Sequence, residues 1–311
     1  MTTPQTPLMS ASDWAILLLL SFLWGGSFLF AKIAVAEVPP FTIVFIRVAG
    51  AALILAVVVK LLGLGMPRER EVWARFFTLA LLSNVIPFSL IVYGQTQIGA
   101  GLASILNATT PLFTLIVAHL VTQDEKLTPL RLAGVMAGFA GVAVMLGPSA
   151  ATGLSGPLLA QLAVLLAAFS YGWAGWYGRR LTGLHPLQAA LGQVTASSVV
   201  MLPLAALAEQ PWNLPMPSAA ALGALAGIAI FSTALAYGLY FRLLARVGAG
   251  NASLVTFLIP PSALLMGILF LDERLTLWQG AGMLGIGAGL VLVDGRFDPQ
   301  IPLNLPFCNT A

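Results

Sequence analysis

Residues 99–141 read GAGLASILNATTPLFTLIVAHLVTQDEKLTPLRLAGVMAGFAG, and residues 248–289 read GAGNASLVTFLIPPSALLMGILFLDERLTLWQGAGMLGIGAG. The two stretches share Gly-Ala-Gly, Ala-Ser, a proline, Asp-Glu-Lys/Arg-Leu-Thr and Ala-Gly in the same order. One inserted residue aligns Pro111 with Pro260 and Gly134 with Gly282. Fainter matches pair Trp24 with Tyr171 and Lys32 with Arg179, so the sequence contains an internal repeat.

The composition indicates an integral membrane protein. Hydrophobic residues make up 59% of the 311 residues and charged residues 8%, whereas about 25% of a soluble domain is charged. A water-soluble fold of this size has no place to hide so much apolar surface. The net charge of +3 is scattered rather than clustered, which argues against nucleic-acid binding. The single Cys308 excludes a disulfide framework and a cysteine-based metal site within the chain.

Apolar runs of about 20 residues predict ten membrane-spanning helices. They cover residues 13–35, 41–64, 73–94, 98–121, 129–147, 156–178, 186–208, 218–241, 248–271 and 277–294. We expect the first run to be an uncleaved helix, because no Lys or Arg precedes Asp13 and the run is long for a signal core. The predicted units are an N-terminal tail (1–12), two five-helix repeats (13–147 and 156–294) and a C-terminal tail (295–311).

The distribution of Lys and Arg predicts the orientation. With the N-terminus in the cytoplasm, eleven Lys and Arg residues fall in cytoplasmic segments, and only Lys32 and Arg274 fall outside. Positive residues concentrate on the cytoplasmic side of membrane proteins. We therefore expect a multi-pass protein of a bacterial inner membrane with both termini in the cytoplasm.

The repeat predicts two halves of opposite orientation. Five helices separate the two copies, and because five is odd, the second copy enters the bilayer from the other side. Inverted repeats with a substrate site at their midplane interface are typical of secondary transporters. The alternative is that a duplicated gene gives a stable pseudo-symmetric bundle without transport.

The same residues carry a family resemblance. The twin segments, together with Phe22-Leu23-Trp24-Gly25-Gly26-Ser27-Phe28, resemble the EamA-type members of the drug/metabolite transporter superfamily over about residues 13–294. The resemblance implies an all-α integral membrane fold of ten helices in two inverted five-helix repeats, and export of metabolites such as amino acids. Within the family the chain most resembles bacterial amino-acid exporters, including aromatic ones. The proline-containing tail after Arg296 lies outside the resemblance.

Polar and aromatic side chains are expected to line the path, since polar groups in hydrocarbon must face protein or water. The fifth and tenth helices carry glycines at close spacing instead, which is typical of helix packing. We predict a cavity between the first, third, fourth, sixth, eighth and ninth helices. The predicted substrate-binding residues are Trp24, Phe28, Asn84, Tyr93, Asn107, Tyr171, Trp176 and Tyr237. Hydrogen bonding between helices is an equally plausible role for any single one of the polar residues.

Charges within the predicted spans are few. Arg47 has three possible roles, namely holding a substrate carboxylate, pairing with Glu37, or snorkelling to outer-leaflet phosphates, and we favour the last two. Lys32 is expected at the membrane interface. No Asp or Glu falls in the central part of a predicted helix, which argues against proton-coupled export of cations. A neutral or zwitterionic solute that moves without ion coupling fits this lining better.

Enzymatic interpretations find little support. The sequence has no Gly-x4-Gly-Lys-Ser/Thr loop, and His119 and His185 both lie near predicted cytoplasmic helix ends. We expect a monomeric transporter, not an enzyme, with a small-molecule substrate, the lipid bilayer as its surroundings, and no metal, cofactor or nucleic acid. The alternatives are export of a nucleoside, sugar or drug, or a membrane sensor or lipid flippase on the same fold.

Overall fold

A computed structural model describes residues 9–122, 128–150, 156–181, 183–252 and 254–293, and no strand occurs among them. Several sequence predictions lie outside these residues. They concern residues 124–127 of the first Asp-Glu-Lys/Arg-Leu-Thr motif, Ser253 and Asp294. They also concern the C-terminal tail and most of the N-terminal tail. The all-helical class predicted from the sequence is confirmed for the described part of the chain.

Eight helices in the described residues are long and apolar enough to cross a membrane. They are α1 (Ala11–Ala34), α2 (Pro40–Leu61), α3 (Arg70–Gln95), α4 (Ala100–Val121), α5 (Pro129–Gly147), α6 (Gly156–Gly178), α7 (Pro186–Ala208) and α8 (Ala219–Leu244). Two shorter apolar helices come after them, α9 (Val255–Leu271) and α10 (Leu277–Val293). The protein is thus a multi-pass membrane protein, and the count of ten spans stays a prediction.

Local chemistry sets the helix ends. Ser10 and Asp13 form a reciprocal capping box at the start of α1, which satisfies two backbone N–H groups that lack partners inside the helix. Pro40 and Pro186 occupy the first positions of α2 and α7, where the missing N–H costs nothing. The apolar span α8 ends at Leu244, but helical residues continue beyond it to Ala252, well past the predicted end at residue 241.

Two helices contain a widened π turn. In α3 it spans Leu81–Val85, and in α8 it spans Ile230–Leu235. Pro87 lies two residues after the end of the first of these turns and has no N–H for the regular helix hydrogen bonds. A π turn inserts one extra residue, and such turns are frequent at functional sites.

The bundle is held by a small set of helix pairs. The most extensive contact joins α5 to α10, and the other large contacts are α2 with α7, α1 with α8 and α9, and α6 with α3 and α4. In the first pair the backbones touch at glycines. A Cβ added at Gly141 would lie 2.6 Å from the Ile286 nitrogen, and one at Gly289 would lie 2.5 Å from the Gly134 oxygen. The packing role predicted for these two helices is confirmed.

Candidate functional site

A buried amide lies at the centre of the bundle. Asn84 belongs to the π turn of α3 and is fully buried. Its Nδ2 donates to Ser197 Oγ at 2.8 Å. Its Oδ1 accepts from the Tyr237 hydroxyl at 2.8 Å and from Gln193 Nε2 at 3.2 Å. One side chain therefore joins α3 to α7 and α8, and the amide is hydrogen bonded at both ends as a buried amide requires.

A guanidinium lies beside the same helices. Arg47 of α2 is 6% exposed. Its Nε donates to Thr233 Oγ1 at 2.9 Å, and its Cζ lies 3.6 Å from the centre of the Phe88 ring. The expectation that Arg47 snorkels to the lipid phosphates is therefore wrong. Pairing with Glu37 is also wrong, because the ion pairs among the described residues do not include Arg47, and the Glu37 carboxylate binds Ser218 instead.

The hydroxyl that accepts the Arg47 hydrogen bond is itself oriented. Thr233 lies in the π turn of α8, is fully buried and donates its own proton to the Ile228 carbonyl at 2.8 Å. The oxygen of Thr233 is therefore left as an acceptor that faces α2. We call Arg47, Asn84, Thr233 and Tyr237 the polar cluster.

Aromatic rings surround the polar cluster. The Trp24 and Tyr240 rings lie 5.2 Å apart, and Tyr171 packs against the hydrophobic groups of both Phe28 and Phe88. Tyr171, Tyr237 and Tyr240 are half-buried. Their rings are therefore partly available to another molecule. A path lined by such rings suits apolar groups and cations that stack on them.

The other predicted site residues lie apart from this group. Tyr93 is 47% exposed on α3. Trp176 stacks edge-on against Trp173, with the Arg180 guanidinium 4.4 Å from its ring centre, near the C-terminal end of α6. Asn107 is half-buried, and its Oδ1 has no hydrogen-bond partner in the described part of the chain. Of the eight predicted residues, the structure brings together Trp24, Phe28, Asn84, Tyr171 and Tyr237, with the first, second and fourth in the surrounding apolar group.

Sequence reasoning missed α2 and α7 as site helices. Gln193 and Ser197 reach Asn84 from α7, and Gln193 also donates to Ser83. The two residues are four apart and thus share one face of a helix. That spacing was a usable signal for a polar face on α7.

One end of the bundle is tied by carboxylates. Glu273 lies just after α9, and its carboxylate accepts from the backbone N–H groups of Ala100 at 2.6 Å and Gly101 at 2.9 Å, at the start of α4. Lys32 lies at the same end and donates to the Gln95 and Ile98 carbonyls. An anion at a helix N-terminus is stabilised by the unpaired N–H groups and the helix dipole.

Two further carboxylates repeat this arrangement. Glu209 accepts from the backbone N–H groups of Phe41 at 2.8 Å and Thr42 at 2.7 Å, at the start of α2. Glu37 accepts from the Ser218 N–H and hydroxyl, both at 2.6 Å, at the start of α8. The hydrogen bonds from the Ser218 hydroxyl and backbone lower the pKa of Glu37. In all three cases a carboxylate of one sequence repeat caps a helix of the other, and we call the three contacts the carboxylate ties.

Open cavities lie beside the Glu273 tie. One is lined by residues of α4, the α9 end and α10, including Leu102, Ile105, Leu264 and Glu273. No three His, Cys, Asp or Glu side chains cluster within the described ranges.

Comparison with known proteins shows that the sequence is similar to those of transporters. A family model described as the EamA-like transporter family matches residues 13–147 and 158–294. The uncharacterized transporter YvbV of Bacillus subtilis is 31% identical over 91% of this chain and 92% of its own length. The uncharacterized inner membrane transporter YedA of Escherichia coli K12 is 25% identical over 94% of both chains. Protein PecM of Dickeya dadantii is 27% identical over 87% of this chain and 88% of its own.

A solved crystal structure has the same fold. It superimposes with a TM-score of 0.65 at 16% sequence identity, covering 92% of this chain and 98% of that chain. At this identity the likeness concerns the fold alone.

Proposed function

The chain belongs to the EamA-like transporter family, and from that premise we propose that it exports small neutral or zwitterionic metabolites by alternating access. Amino acids, including aromatic ones, are the proposed substrate class. The family and the names of its relatives indicate a membrane transporter rather than an enzyme. The protein is proposed to act as a monomer in the bilayer on a small-molecule substrate.

The proposed topology has ten spans in two inverted five-helix halves. At about 1.5 Å per residue, the 17 residues of α9 and of α10 extend about 25 Å, the lower end of what a bilayer core requires. The packing supports two related halves. The repeat relates each helix to the one five positions later, so α1 corresponds to α6, α3 to α8 and α4 to α9. Under this correspondence the contact of α1 with α9 matches that of α6 with α4, and the contact of α1 with α8 matches that of α6 with α3.

The π turns support the same relation. The register that aligns Gly99 with Gly248 also aligns Leu81 with Ile230, the first residues of the two π turns. It also aligns Asn84 with Thr233, and these are the two residues of the polar cluster that lie in the π turns. Two halves that meet at equivalent irregular turns fit a transporter with its substrate site between repeats.

The proposed location is the inner membrane, with both termini in the cytoplasm. The excess of Lys and Arg in the segments then assigned to the inside supports this orientation, and the relative YedA is named an inner membrane transporter. The carboxylate ties then lie at the outer end of the bundle. A molecule tied at its outer end would open toward the cytoplasm, the side from which an exporter loads.

The observation that carries the proposed function is the polar cluster between the repeats. Asn84 from the first repeat bonds Gln193, Ser197 and Tyr237 from the second, next to the partly accessible rings of the tyrosines. The central parts of the described helices contain no Asp or Glu. A site with amides, hydroxyls, rings and one guanidinium but no carboxylate suits solutes that carry no net positive charge.

The test is flux of radiolabelled phenylalanine into liposomes that contain the purified protein. Saturable uptake that unlabelled substrate competes is expected, and Asn84→Ala should reduce its rate at least tenfold. Asn213→Ala is the matched control, because Asn213 is exposed in the loop between α7 and α8. A screen of amino acids, nucleosides, sugars and lipid analogues that gives binding without flux would identify a sensor instead, and lipid movement alone would identify a flippase.

A further inference from the structure

Arg47 is a buried cation whose charge the described protein leaves uncompensated. The ion pairs in the described ranges are Arg75 with Glu71 and Arg246 with Asp13. Among the described residues no hydrogen bond reaches the two terminal nitrogens of Arg47, although its Nε bonds Thr233. These nitrogens keep accessible surface even though the residue is only 6% exposed. They are therefore available to a further partner.

The neighbours of Arg47 orient the guanidinium without neutralising it. Thr233 accepts from Nε, and the guanidinium carbon lies over the Phe88 ring, 3.6 Å from its centre. Tyr171 and Tyr237 lie within electrostatic range. Because the Tyr237 hydroxyl donates to Asn84, its oxygen remains available as an acceptor only. Neutral oxygens and a ring face attract the cation but leave its net charge unchanged, whereas one bound anion would neutralise that charge.

Burying an arginine in this way has a physical consequence. The side chain does not lose its proton in a protein, and an unpaired charge inside a membrane domain is costly and marks functional positions. A guanidinium whose Nε and one face are occupied still presents the two terminal nitrogens as a planar fork. That fork matches the two oxygens of a carboxylate.

We propose that Arg47 binds the carboxylate of the transported solute, so that the substrates are small carboxylates with an apolar side chain. This inference rests on the proposed export function and names the group of the solute that the site recognises. The aromatic rings of Trp24, Tyr171 and Tyr240 receive the side chain. An α-amino acid and a carboxylate without an amino group share this chemistry, and the test separates them.

The experiment measures competition against phenylalanine flux in liposomes. The competitors are phenylalanine, phenylalaninamide, 3-phenylpropionate and phenethylamine. In the wild-type protein the two carboxylates should compete at concentrations about 10- to 100-fold lower than the amide and the amine, as expected for charge-assisted hydrogen bonds. Stronger competition by phenylalanine than by 3-phenylpropionate assigns the site to amino acids, and equal competition assigns it to carboxylates in general. Equal competition by all four compounds would overturn the proposal.

The variant Arg47→Gln should lose the discrimination, because a neutral side chain no longer favours a carboxylate over an amide. Arg70→Gln removes an exposed arginine at the start of α3 and should retain wild-type discrimination. Arg47→Lys keeps the charge without the fork and should show intermediate discrimination. This variant replaces Arg47→Gln as the test if the glutamine variant fails to fold. Wild-type-like discrimination in a folded Arg47→Gln protein would remove Arg47 from the site while leaving the export function intact. Absence of saturable flux for every solute in the wild-type protein would instead refute the proposed export function.

Discussion

Neutralising Glu273 tests whether the carboxylate ties hold one conformation of the bundle. Its carboxylate accepts two backbone N–H bonds, at 2.6 and 2.9 Å, from the first turn of α4. In Glu273→Gln one oxygen remains to accept a neutral hydrogen bond, and the second position becomes a donor that faces another donor. Bonds to charged groups contribute about 1.5–3 kcal/mol and neutral ones about 1 kcal/mol. Allowing for the partial exposure of Glu273, we expect a loss of about 1–2 kcal/mol.

That loss is large enough to measure as a change of population. If the tie is absent when this end opens, weakening it raises the open population roughly 5- to 30-fold, since about 1.4 kcal/mol corresponds to a factor of ten. The reporter is a cysteine at Ile105, which is 1% exposed and lines the cavity beside Glu273. Cys308, the single native cysteine, is replaced by serine in all variants.

The assay is the rate at which a membrane-impermeant maleimide labels Ile105→Cys in intact cells. Glu273→Gln should raise this rate roughly 5- to 30-fold relative to the parent, by the free-energy loss above. Asp272→Asn is the matched control, because it removes the neighbouring exposed charge without touching the tie. Asn also tolerates the left-handed backbone of Asp272, with φ of 52°. Equal labelling rates in the two variants would refute the reasoning.

The packing and the polar cluster give three other predictions. Tyr237→Phe removes the hydroxyl that bonds Asn84 and should destabilise the fold by about 1 kcal/mol while lowering flux; unchanged thermal stability and unchanged flux together would contradict the role of this bond. Gly141→Ala places a Cβ 2.6 Å from the Ile286 nitrogen and should destabilise by about 1–3 kcal/mol in thermal unfolding, whereas Gly287→Ala, which meets nothing within 4 Å, should be neutral or stabilising by up to about 1 kcal/mol. Flux should be the same with and without an imposed pH gradient across the liposome, since the central parts of the described helices hold no Asp or Glu; strong proton dependence would exclude uncoupled export.

The helices and the packing of α5 on α10 were predictable because both signals are local. Hydropathy over about 20 residues identifies a span, and closely spaced glycines such as Gly134, Gly138 and Gly141 indicate where two helices approach. The α8 boundary was misplaced because the sequence around Gly248 reads as the start of a new helix, whereas the helix in fact continues to Ala252.

The site was predictable only in part. Asn84 and Tyr237 are polar residues in apolar helices, and that contrast is visible in the sequence. The environment of Arg47 was not, because a π turn adds a residue and rotates the later residues of its helix away from the regular helical pattern. Thr233 lies in such a turn and receives the Arg47 hydrogen bond. The carboxylate ties join residues far apart in the chain, such as Glu209 with Thr42, and no local pattern marks them.

The glycine contact between α5 and α10 restricts how the bundle can rearrange. The backbone atoms of Gly141 and Gly285 lie so close that a Cβ on Gly285 would be 2.8 Å from the Gly141 Cα. Sliding one helix along the other would drive the side chains of Met145 and Leu292 into the partner's backbone, since both flank this contact. The two helices therefore move as one piece. In a rearrangement that exposes the interior, we expect this pair to stay intact while other helices move relative to it.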